Sequence, residues 1–227
     1  MTTPRQRILD ATTRLLASGG REAVSTRAVS AAAGVQAQTI YRQFGDMAGL
    51  FAAVAQQAWT AYLGQKRAGE KRADAVADLV AGWDLHVEFG LANPALYKLI
   101  YGDPRPGEPS AISGEGHEML TGILRRVAAD GRLRIPVEAA APMVYAASVG
   151  AALALIAAQT DGTLDTHAGL SHHLRDAVLA AVLTGPESDG LGPRALALKA
   201  GLPVVADRFS AAERVLLSEW LDRIAVG

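Results

Sequence analysis

Apolar positions recur every three or four residues along most of the chain, the spacing of amphipathic helices. Ile8, Leu9, Thr12, Leu15 and Leu16 form one stripe over about Arg5–Ser18, which Gly19-Gly20 ends. A second pattern, Thr26–Ala33, places Ala28, Val29 and Ala32 on one face, with Ser25 positioned to cap its start. Gly34 stands where the chain must leave that helix, and Val35 follows as a core plug. The third pattern, about Ala37–Gln43, has Ile40 and the following Phe44 as its inward anchors. The fourth begins near Asp46, carries Leu50, Phe51, Val54, Ala58, Tyr62 and Leu63, and ends at 64–67.

A polar stretch with two glycines, 64–72, separates this head from a body. The same period then predicts helices over about 71–92, 94–101, 111–130, 136–158 and 165–184. Val76, Val80, Trp83 and Val87 stripe the first of these, and Leu79 and His86 form a second edge, as in a helix that lines a cavity while packing a core. Prolines and glycines make 102–110 a loop and 185–193 a flexible linker. A capping box, Ser210 to Glu213, opens a final helix whose Leu217, Trp220, Leu221 and Ile224 share a face and should dock. The division expected is 1–47, 48–185, and a linker with an accessory helix over 186–227.

Composition agrees with an all-α chain. Half of the 227 residues are apolar, alanine dominates and aromatics are 5%, a balance that favours helices over strands. With no cysteine there is no disulfide framework and no thiolate metal site. The N-terminal M-T-T-P-R-Q-R lacks the apolar segment of a signal peptide. The longest apolar run, Ala139–Ala158, has the length to raise a membrane question. It is mostly alanine and includes Pro142, Tyr145, Ser148 and Gly150, so it reads as a buried helix of a cytoplasmic protein without a membrane partner. The net charge of −1 does not advertise a nucleic-acid binder, but residues 1–47 carry +3 and the remainder −4.

The stretch 25–44 gives that asymmetry meaning. On the third helical pattern only Ile40 is clearly inward; Gln36, Gln38, Thr39, Tyr41, Arg42 and Gln43 remain to face outward. Two short helices meeting at a glycine, the second with one anchor and a dense polar face, have the form of a helix-turn-helix with its recognition helix. Gln pairs with adenine, Arg with guanine or phosphate, and hydroxyls with phosphate. A surface helical hairpin is the plainer reading of the same residues. Arg5, Arg7 and Arg14 lie off the first stripe, facing either phosphates or solvent.

Residues 8–54 resemble the DNA-binding head of the TetR family of transcriptional regulators. The resemblance is carried by Ile8-Leu9-Asp10-Ala11, Gly19-Gly20, Val24-Ser25-Thr26-Arg27, Ala31-Ala32-Ala33-Gly34-Val35, Thr39-Ile40-Tyr41, Phe44 and Leu50-Phe51. More loosely, Asn93–Leu99 and Ala128–Leu133 resemble segments of the family's ligand-binding half. The resemblance implies an all-α fold: a three-helix head joined by a long helix to a ligand-binding and dimerisation body. It also implies that Thr26 and Arg27 meet phosphate, that Gln36, Ala37 and Gln38 approach base edges, and that Thr39, Tyr41 and Gln43 grip the backbone. Met47 stands where the family usually has a phosphate-binding lysine, and Gln43 where a histidine is common; Arg42 is placed to compensate. Gly49 costs the fourth helix about 1 kcal/mol against alanine, and close packing is the better account of it than a softened joint.

The body offers no catalytic constellation: no Ser/His/Asp set, no G-x-S-x-G elbow, no phosphate-binding glycine loop. His172 and His173 point to different helix faces, so no metal site, cofactor or enzyme is expected. The resemblance places a small-molecule cavity among the helices of 71–158. Its large candidates are Trp83, His86, Phe89, Tyr97, Tyr101, Met119, Ile123, Met143 and Tyr145, with His86 and Tyr101 to orient a polar group of an apolar or aromatic ligand. Core packing is the alternative for each. Small residues around Gly150 and Leu153, with Leu170, Leu174, Ala177, Val178 and Ala181, suit a two-fold helical interface, or else intramolecular core. The function expected is a homodimeric repressor released from a palindromic DNA operator by a small-molecule effector. The alternatives are a regulator without an inducer, meeting a protein through its tail, and a fold relative with a silent head that carries a small molecule.

Overall fold

The computed structural model describes residues 2–68, 72–102, 111–184 and 190–226. Parts of the expected polar boundary (69–71), loop (103–110) and linker (185–189) lie outside the described residues. The α-helices are α1 Pro4–Gly19, α2 Thr26–Ala33, α3 Ala37–Phe44, α4 Met47–Ala68, α5 Ala75–Ala92, α6 Pro94–Tyr101, α7 Ala111–Ala129, α8 Val137–Thr160, α9 Leu170–Val182, α10 Leu191–Gly201 and α11 Ala211–Val226. Among the described residues the β-structure is an isolated antiparallel bridge between Leu133 and Leu183. The chain is all-α and divides into two compact units, Met1–Gly69 with Glu88–Ser113 and Glu70–Val87 with Gly114–Gly227.

In the first unit the local chemistry decides where helices start and stop. Thr3 caps α1, its Oγ1 accepting from the Gln6 N–H. Asp46 caps α4, accepting from the Gly49 N–H at 2.7 Å. Asn93 precedes Pro94, whose missing N–H costs nothing in the first turn of α6. The buried stripes Ile8, Leu9, Ala11 and Leu16, Val29 and Ala33, Ile40, and Leu50, Phe51 and Val54 converge with Leu96 in one core. Two details depart from expectation. Ala33, not Ala32, turns inward from α2, because a run of three alanines gives the helical period nothing to choose by. Phe44 is half-buried, with the Arg5 guanidinium 4.6 Å above its ring.

In the second unit α8 lies along α9. Its Ala140, Val144, Ala151, Leu155 and Ile156 are buried, although by length and composition alone it could cross a membrane. Gly169 adopts positive φ (82°) and splits the segment expected to be one helix from 165: a 3-10 turn at Leu164–His167 comes first, and α9 starts only at Leu170. The chain after 190 is more regular than its glycines and prolines suggest. It forms α10, a 3-10 segment at Leu202–Arg208, and α11. Pro193 is tolerated because it falls in the first turn of α10. The capping box is present, with Ser210 N–H donating to Glu213 Oε2 at 2.8 Å and Glu213 N–H to Ser210 Oγ at 3.3 Å. The docking face of α11, however, is Leu217, Leu221 and Ala225 against Ala195 and Leu202. Trp220 and Ile224, expected on it, are about half exposed, because the i, i+4, i+8 row that meets α10 passes beside them.

One buried charge organises the start of α5. Asp78 is 9% exposed. Its carboxylate accepts from the Arg72 N–H at 3.0 Å and from the Arg126 guanidinium, whose second nitrogen donates to the Arg72 carbonyl at 2.8 Å. Burial by itself would raise the Asp78 carboxyl, but the hydrogen bonds from Arg126 and Arg72 outweigh it and hold the group below the usual carboxylate range. Its stabilisation is therefore complete above the unfolded value of about 3.9 and is lost as pH falls through the lower folded value. Asp78→Asn should cost about 1–3 kcal/mol at neutral pH. In thermal melts across a pH series, the variant and wild type should converge as pH drops below about 3.9.

Candidate DNA-contacting surface

The helix-turn-helix is built from α2, the turn Gly34–Gln36 and α3. Ser25 starts α2, its Oγ accepting from the Ala28 N–H at 3.2 Å. Gly34 ends it in the left-handed region (φ 63°, ψ 45°), and the Val35 N–H returns to the Ser30 carbonyl at 3.1 Å. This closure needs a residue without a Cβ penalty at positive φ. Gln36 then caps α3 through its backbone, its carbonyl accepting from Thr39 N–H at 2.9 Å, while its side chain makes no capping bond. The first N–H groups of α3 are thus left open to an anion.

Ile40 is fully buried and is the only fully buried residue of α3. That single anchor turns the rest of the short helix outward. Gln36, Ala37, Gln38, Tyr41, Arg42 and Gln43 are exposed, and Thr39 is half-buried. Thr26 and Arg27 begin α2 beside them, and a 3.1 Å hydroxyl–hydroxyl bond joins Thr26 Oγ1 to Tyr41 Oη. The nine positions singled out from the sequence therefore all belong to these two helices and their turn, and seven are exposed. Arg7 and Arg14 are exposed on α1; Arg21 lies 4.5 Å over the Phe51 ring.

Residues 8–54 match the family model described as bacterial regulatory proteins, tetR family. The chain carries a TetR-family head. Solved structures share the fold over most of the chain. A protein of unknown function from Rhodococcus sp. RHA1 is 22% identical over 81% of this chain and 97% of that one, with a TM-score of 0.65. The transcriptional regulator FadR from Bacillus subtilis, solved in complex with stearoyl-CoA, is 16% identical over 77% and 97%, with a TM-score of 0.64. A TetR variant from Acinetobacter baumannii AYE in complex with minocycline is 20% identical over 77% and 93%, with a TM-score of 0.56. No curated protein matches the chain.

Beyond the TetR head, the residues expected to line a cavity fall into separate groups. Phe89, Tyr97 and Tyr101 belong to the first unit and Trp83, His86, Met119, Ile123, Met143 and Tyr145 to the second. Trp83 is 3% exposed and donates its Nε1–H to Ser171 Oγ at 2.9 Å. His86 is buried, Met143 is 43% exposed, and burial raises the Tyr145 phenol. An open cleft between α7 and α8 is lined instead by His117, Glu118, Thr121, Arg125, Val137, Glu138 and Ala141. On α4, Trp59 and Lys66 sit one turn either side of Tyr62, at i, i+3, i+7 spacing, and both pack against its ring. Among the described residues no cluster of His, Asp and Glu could hold a metal ion.

Gly49 ties the head to α4. A Cβ built there would collide with the Phe44 carbonyl oxygen at the end of α3, a backbone atom with nowhere to go. Helix propensity alone would make Gly49→Ala stabilising by about 1 kcal/mol. The close approach reverses that sign: urea denaturation should show a loss of about 1–3 kcal/mol.

Proposed function

We propose that this chain is a cytoplasmic, homodimeric transcriptional repressor that binds a palindromic operator and is released by a small apolar or aromatic molecule. The observation that carries the reading is the outward face of α3, where amides, hydroxyls and a guanidinium surround one buried anchor. In this reading Gln36, Ala37 and Gln38 approach base edges in the major groove. Thr26, Arg27, Thr39, Tyr41 and Gln43 hold the phosphates, with Arg42 supplying charge that Met47 does not.

Two further features support it. The outer positions of α8 and α9 needed for a two-fold interface are open in the single chain: Gly150, Ala177 and Ala181 are exposed, and Leu153, Leu170, Leu174 and Val178 are half-buried. Structural neighbours have been solved with small molecules, stearoyl-CoA in one and minocycline in another. An effector that binds best to a conformer with poor operator affinity would weaken DNA binding, and by linkage DNA would weaken effector binding by the same free energy.

Fluorescence anisotropy with DNA from the protein's own upstream region, across a salt series, tests the reading. Sequence-selective binding with a steep negative salt dependence is expected. Tyr41→Ala should weaken binding to all sequences, whereas Gln38→Ala should reduce discrimination at one base pair by about 1–3 kcal/mol. Weak, sequence-blind binding at every salt concentration would refute the regulator and point to a silent head. Ala177→Glu with Ala181→Glu should turn a dimer into monomer in sedimentation equilibrium; a wild-type chain that is monomeric at operator-saturating concentration would remove the palindromic model.

A further inference from the structure

The tail after 190 is a small hairpin that packs chiefly on itself. Among the helices, the substantial contacts of α10 and α11 are with each other and with the 3-10 segment between them. The buried core of the hairpin is Ala195, Leu202 and Leu221, with Leu217 and Ala225 partly buried beside them. That is little apolar burial for three helical segments, and pieces of this size need a further packed surface. A second apolar row runs along α11 next to the docked one. Leu216, Trp220 and Ile224 recur at i, i+4 and i+8, and each stands about half in water. Single exposed apolar residues are ordinary, but an aligned row centred on a tryptophan marks a contact surface.

Two features point to a second copy of the same helix as the occupant. The row is symmetric about Trp220, with a large aliphatic side chain four residues to either side. A two-fold axis at Trp220 therefore lays the row on itself, Leu216 against Ile224 of the second copy. The charges obey the same axis. Glu219 and Arg223 lie on one flank of the row, 3.9 Å apart and both well exposed. In an antiparallel helix pair like flanks meet. At 1.5 Å rise per residue, Arg223 then falls about 3 Å along the helix axis from Glu219 of the second copy, and the reverse pair forms across the two-fold. In a parallel pair the charged flank would instead face the flank that α10 occupies.

We propose that α11 is a self-association surface: it pairs antiparallel with α11 of a second copy about a two-fold axis at Trp220, with Glu219 and Arg223 cross-paired at its edge. Three half-exposed side chains fall well short of the about 800 Å² per partner that a free-standing interface buries. The pairing therefore adds to a contact that already joins the chains. It rests on the reading of the chain as a homodimer and gives that dimer a second point of attachment.

The chain contains no cysteine, so an introduced one reports only its own surroundings. Mild oxidation of full-length Trp220→Cys should give a disulfide-linked dimer. Val215→Cys, exposed on another side of α11, should not. In sedimentation equilibrium Trp220→Ala should raise the dissociation constant about tenfold. Glu219→Arg and Arg223→Glu should each weaken association, and the two combined should restore it, because the cross-pair regains its complement. Equal crosslinking at 215 and 220, or a charge swap that fails to rescue, overturns the pairing. So does association indifferent to Trp220→Ala; a lowered melting temperature in that variant would then show the row covered by its own chain. Failure of these tests with the dimer intact removes the tail contact alone, whereas a wild-type chain monomeric at every concentration removes the homodimer as well.

Discussion

Where α3 hands over to α4, the Phe44 carbonyl presses against the bare Cα of Gly49, whose N–H is in turn held by the Asp46 carboxylate. The geometry leaves no room for a side chain, so the end of the recognition helix and the first turn of α4 are seated as one piece. Ile40 holds the same helix from below, and the left-handed Gly34 sets the angle at which it leaves α2. Three local constraints, two of them the absence of a Cβ, thereby fix which face of an eight-residue helix meets solvent. The polar character of that face follows: with one position taken by the core, nearly every other side chain must live in water.

Both units draw charged groups partly out of water. In the second, Asp78 is answered by Arg126 and Arg72, Arg175 by Asp84 and Asp176, and Lys199 by Asp222 at 2.6 Å. These are closed networks in which each desolvated charge has a partner, the condition under which burial is tolerated. In the first, Lys66 rests on an aromatic face and Trp59 keeps its N–H to itself. Both lie on α4, the helix that begins under α3. Gly49 and Lys66 are separated by about 25 Å of continuous helix at 1.5 Å per residue.

Much of the head was legible because its signals are local. Ser25, Gly34 and Asp46 announce helix ends through their own hydrogen-bonding and φ preferences, and α2 and α6 fall where those signals place them. The polar face of α3 was legible for a related reason: one large apolar residue among amides and hydroxyls can face only one way. The tail was harder. Pro193 and four nearby glycines spell a linker by composition, yet α10 forms because Ala195, Leu202 and Leu221 have each other to pack on. The faces of α2 and α11 were misjudged where alanine runs or adjoining apolar rows gave the period two equally good answers.

The sequence by itself determined the helical class, most helix boundaries and the chemistry of the outward face of α3, since each follows from propensity, caps and period within a few residues. Only the tertiary structure decided that Gly49 must remain glycine, that Asp78 is a buried partner of Arg126, and that Trp59 and Lys66 share an aromatic circuit with Phe89, Tyr97 and Tyr101. Those facts depend on which atoms from distant parts of the chain arrive within a few ångströms of one another, and no local preference encodes that.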